Sequence, residues 1–72
     1  MYKVEIKQAF TDTYQYQKLR DNYELAGFTQ IEYFMPSIVL YDVSLQDITP
    51  VLTIARTSGI EYDITIKDQI YG

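Results

Sequence analysis

The stretch Ile60-Glu61-Tyr62-Asp63-Ile64-Thr65-Ile66 alternates apolar and polar residues without a fault. Ile60, Tyr62, Ile64 and Ile66 fall on one side, and Glu61, Asp63, Thr65 and Lys67 on the other. Period two is the mark of a strand with one dry and one wet face. At the opposite end of the chain Tyr2, Val4 and Ile6 alternate with Lys3, Glu5 and Lys7. Two such strands enclose segments of helical period, so the pattern predicts one sheet in which the chain ends pair.

Working inward, the first strand spans Tyr2 to about Ala9. Thr11-Asp12-Thr13 then supplies N-cap oxygens for a helix from about Asp12 to Ala26. Tyr16, Leu19, Tyr23 and Ala26 make its inward face; Tyr14, Lys18 and Leu25 form a thinner second stripe. Gly27 suits the left-handed position that closes a helix, with Phe28 folding back on the last turn. The β-prone run 29–43 is broken at Met35-Pro36-Ser37-Ile38, because proline cannot donate within a ladder. It reads as strands at about 29–35 and 38–43, with residues 35 and 38 paired, and one bent strand as the competitor. Ser44 caps a second helix if that helix begins at Leu45. Pro50 then stands in its second turn, whereas Thr49 as the cap would put proline at the favoured first position. Leu45, Ile48, Leu52 and Ala55 line one face, with Val51 beside them, and Ser58-Gly59 ends the helix. The last strand runs from Ile60 towards Ile70, leaving Tyr71-Gly72 as a tail.

The element order is therefore β-α-β-β-α-β in one domain, residues 1–72. Right-handed crossovers fold this order into an α+β, ferredoxin-like split β-α-β sandwich. Its four antiparallel strands stand in spatial order 4-1-3-2, with two helices on one face. The residues expected against the helices include Val4, Ile6, Leu19, Tyr23, Leu40, Leu52, Ala55, Tyr62 and Ile64.

Composition narrows the chemistry. The 72 residues hold no cysteine and no histidine, which removes disulfides, thiolate metal sites and the commonest general base together. A core this small rarely leaves more than about 3–5 kcal/mol of net stability. Net charge is −4, with only six lysines and arginines, and these are scattered; that balance argues against nucleic acid and anionic membrane as partners. No long apolar run is present, and a cytoplasmic protein without a membrane partner is the expectation. The carboxylate pairs Asp42/Asp47 and Glu61/Asp63 are the only candidates for acid–base work, and the second pair falls on a wet face. Three glycines form no phosphate cradle. RNA-recognition domains of this topology stack bases on aromatic residues of both central strands; Tyr41 supplies one, but the first strand offers Lys3, Glu5 and Lys7. The reading is a non-enzyme with no cofactor and no metal.

With helices on one side, the other side of the sheet is where such a chain can act. The 35–38 pairing puts Phe34, Val39, Tyr41 and Val43 on that open side together with Gln30 and Glu32. An apolar patch beside a charged stripe marks an interaction surface. The expectation is a protein–protein interaction or self-association module, its partner itself or another protein, a homodimer included. The alternative is a small acidic inhibitor or accessory protein that docks on a basic surface of a nucleic-acid enzyme.

Overall fold

The computed structural model describes residues 1–57 and 61–69. In chain order the elements are β1 (Tyr2–Gln8), α1 (Thr13–Leu25), β2 (Ile31–Phe34), β3 (Ser37–Val43), α2 (Leu45–Thr57) and β4 (Tyr62–Asp68). The strands form one antiparallel sheet in the order β2-β3-β1-β4. This is the α+β, ferredoxin-like arrangement expected from the period-two ends and the glycine-closed first helix.

The caps follow from local chemistry. Asp12 accepts the Gln15 amide at 3.1 Å and starts α1. Gly27 closes it with φ 97, and the Phe28 amide donates back to the Tyr23 carbonyl at 3.2 Å. The Phe28 ring meets Tyr23 edge-on, centroids 6.0 Å apart. Gly59, the counterpart expected after α2, lies outside the described residues, as do Ile60 and Ile70. The turn between β1 and α1 is closed by Gln8, which is buried: its amide nitrogen donates to the Asp12 carbonyl and its oxygen accepts the Asp12 amide. Pairing both ends of the buried amide side chain offsets the cost of taking it out of water.

The core lies between the sheet and the helices. Val4 and Ile6 of β1, Ile38, Leu40 and Val43 of β3, Tyr16, Leu19 and Tyr23 of α1, and Val51 and Ala55 of α2 are buried together. Two tyrosines bind the layers by their hydroxyls. Tyr16 donates to the Ser37 carbonyl at 2.7 Å, and Tyr23 to the Val51 carbonyl at 2.8 Å. Ala26, expected on the inward face of α1, is exposed, because the helix has ended before it.

Three further expectations are corrected. The hairpin turn is Met35-Pro36, so Phe34 pairs with Ser37 and Tyr33 with Ile38, in place of 35 with 38. That slip of two keeps parity, and Ile31, Tyr33, Ile38 and Leu40 stay on the core side; only Met35 leaves it. On α2, which starts at Leu45 and carries Pro50 inside, the buried residues are Val51 and Ala55. Leu52 is only half-buried and Leu45 is exposed. The helix is rotated by about one residue from the expected stripe, so that Ile48, Val51, Ile54 and Ala55 face the sheet.

The third correction concerns Val43. Val4 pairs with Leu40 but Tyr2 pairs with Val43, so Tyr41 and Asp42 both stand opposite Lys3. Asp42 absorbs the extra residue at φ 56, and its amide donates to the Gln69 side-chain oxygen at 2.7 Å. A bulge of this kind reverses the facing of every residue beyond it. Val43 therefore turns inward and is 1% exposed, in the core and off the open face.

Candidate interaction surface

Residues paired across an antiparallel ladder share a face. Since Val4, Ile6, Ile38 and Leu40 face the helices, their alternates face out. The open side carries Glu32 and Phe34 from β2, Ser37, Val39 and Tyr41 from β3, Lys3, Glu5 and Lys7 from β1, and Asp63, Thr65 and Lys67 from β4. Of the residues the sequence marks as an interface, Phe34, Val39 and Tyr41 are brought together here.

They differ in what they offer. Phe34 is 62% exposed, while Val39, with Glu32 on one flank and Glu5 on the other, is 6% exposed. Tyr41 is half-buried, with the Lys3 ammonium 5.8 Å from its ring centroid. That distance is within reach of a cation–π attraction. The Glu32 carboxylate, as a hydrogen-bonding neighbour, holds the Tyr41 hydroxyl above its ordinary pKa, with desolvation and the charge of Glu5 adding to it. The patch thus has a projecting aromatic, a flat aliphatic floor and a ring with a charged rim of both signs.

Apolar side chains outside this patch are exposed too. At the end of the sheet where the Gln8 amide donates to the Pro36 carbonyl, Met35 and Phe10 are exposed as well, and Tyr14 of α1 is 71% exposed. Phe10 belongs to no periodic segment, so neither the period-two nor the helical template assigns it a side. A second cluster lies along β2: Arg20 stacks over the Tyr33 ring at 4.6 Å, and the Tyr33 hydroxyl donates to Glu24 at 2.7 Å. Burial and that carboxylate push the Tyr33 pKa up to about 12, and the same hydrogen bond lowers that of Glu24.

Each carboxylate pair that the sequence offers for acid–base work has its own setting in the fold. Asp42 forms the bulge, and Asp47 sits in the first turn of α2, where its amide donates to Ser44 Oγ at 3.3 Å. Glu61 and Asp63 are exposed and help line a cleft of about 500 Å³ with Ala9, Ala55, Arg56, Tyr62 and Ile64. Among the described residues no group of acidic side chains is placed to hold a metal ion, and no helix is long and apolar enough to cross a membrane.

No protein-family model, curated protein or solved structure matches the chain. The functional reading therefore rests on the surface itself.

Proposed function

We propose that the protein is a non-enzymatic interaction module that docks a protein partner through the open side of its sheet. The observation that carries this is Phe34, 62% exposed on the open side of the sheet that it shares with Val39 and Tyr41. A monomer gains nothing by holding a phenyl ring in water, whereas desolvated aromatic residues dominate binding centres. Lysines and carboxylates alternate around these residues, which fits a rim that fixes orientation. The near balance of charge on this face supports apolar docking over acidic mimicry of nucleic acid.

The test compares the parent with the double variant Phe34→Ser, Tyr41→Ser as bait in native extracts, at low salt and at about 0.5 M salt. The expected result is a partner held by the parent at both salts and lost from the variant, with both baits equally folded by circular dichroism. A partner held equally by the two baits would place docking elsewhere. One that leaves the parent at high salt would favour the acidic reading.

A further inference from the structure

The two edges of the sheet are treated differently. β2 is a four-residue edge that runs straight into Met35-Pro36. β4 is seven residues long, pairs with β1 without a register shift, and contains no proline. Among the described residues nothing pairs with its outer side. A long, regular edge without a bulge or proline is a template for another strand.

Which groups it offers follows from the ladder. The Ala9 amide donates to the Glu61 carbonyl, and the Gln69 amide to the Met1 carbonyl. Hydrogen-bonded pairs alternate with non-bonded ones along an antiparallel ladder. The odd residues Asp63, Thr65 and Lys67 therefore bond to β1, and Tyr62, Ile64, Ile66 and Asp68 point their amides and carbonyls outward. An antiparallel neighbour must pair even residues with even ones.

We propose that this neighbour is a second copy of the chain, joined β4 to β4 about a two-fold axis through Thr65, so that two sheets become one. This register uses the whole of β4. Tyr62 bonds with Asp68 and Ile64 with Ile66 of the other copy, in both directions by symmetry. On the open face Asp63 of each copy then stands directly opposite Lys67 of the other, in a non-bonded pair where side chains come closest. The strand is self-complementary: Asp-Ile-Thr-Ile-Lys, turned about its own centre, sets acid against base and isoleucine against isoleucine. Centring on Ile64 or Ile66 instead leaves Asp63 or Lys67 facing threonine and shortens the ladder.

In the single chain Asp63 stands opposite Lys7 in the β1–β4 ladder, without an ion pair between them. Lys67 stands opposite Lys3 in the β1–β4 ladder, and Lys3 leans to Tyr41. Among the described residues the ion pair present is Arg20 with Glu24, so Asp63 and Lys67 are free to pair across the axis. Ile66, on the helix side of β4, is 41% exposed and would be covered by Ile64 of the second copy. The pairing stands apart from the open-face reading, and it sets two such faces side by side.

Sedimentation over a concentration series tests it, using the parent, Asp63→Lys, Lys67→Asp and an equimolar mixture of the two variants. The parent should show a monomer–dimer equilibrium. Each single variant should dissociate at least about tenfold more readily, since it sets like charges together twice. The mixture should recover the parent's affinity, because lysine at 63 then meets aspartate at 67. Amide exchange supplies the register: Ile64 and Ile66 should gain protection only in the dimer, while Thr65 is protected in both states. The double variant Phe34→Ser, Tyr41→Ser should leave this dimer intact. A parent that stays monomeric to about 1 mM overturns the proposal. So does a dimer that ignores both charge changes, or a mixture that fails to recover.

Discussion

Replacing Val51 by alanine should destabilise the protein far more than replacing Leu52, although leucine is the larger residue. Val51 is 0% exposed and belongs to the core cluster, whereas Leu52 is half-buried and outside it. Val51→Ala removes two buried methyl groups. At about 0.8 kcal/mol each for transfer, plus a contribution from the cavity left behind, the cost is roughly 2–3 kcal/mol. The Val51 backbone carbonyl still receives the Tyr23 hydroxyl, so the change isolates the side chain. Leu52→Ala exchanges a partly wetted side chain for the best helix former, and should cost under about 1 kcal/mol. Against a total of about 3–5 kcal/mol the first loss is severe. It should lower the melting temperature by roughly 10 °C or more, with little change for the second. Urea titration followed by far-ultraviolet circular dichroism measures both. If Leu52→Ala costs as much as Val51→Ala, the rotation assigned to α2 is wrong and the stripe through Leu52 is the buried one.

Gly27→Val should cost about 1–2 kcal/mol from backbone strain alone, because φ is 97 and no atom lies within 4 Å of the added Cβ; chemical denaturation checks it, and a neutral result would remove the left-handed closure of α1. Tyr33 and Glu24 predict both limbs of the pH profile. The Tyr33 pKa is raised, so its contribution is intact below the ordinary tyrosine value of 10.0 and is lost as pH climbs towards about 12. The Glu24 pKa is lowered, so its contribution is present above 4.5 and fades as pH falls below that value. Thermal melts of the parent and Tyr33→Phe across both windows test this: the variant should lose less stability on each limb, and identical profiles would show that the hydrogen bond does not persist in solution.

The element order, the two chain-end strands and the closure of α1 could be read from the order of the amino acids alone. Those signals are local: the alternation in Tyr62–Ile66, the Asp12 oxygen three residues from Gln15, and a glycine where φ must be positive. Each depends on neighbours within a turn or a pleat, so the chain carries it wherever it folds. Parity along β2 and the first part of β3 was legible for the same reason, and it placed Phe34, Val39 and Tyr41 together. The fate of Val43 was not legible. Its facing depends on an extra residue opposite Lys3, held at Asp42 by the side chain of Gln69, 27 residues further on. Nor could the pattern choose between Val51 and Leu52, since adjacent apolar residues fit two stripes and only the layer beneath α2 selects one. The availability of β4 as an edge is likewise a property of the assembled sheet: the residues spell a strand, but the strand order sets it at the end of the sheet, with one side unpaired among the described residues.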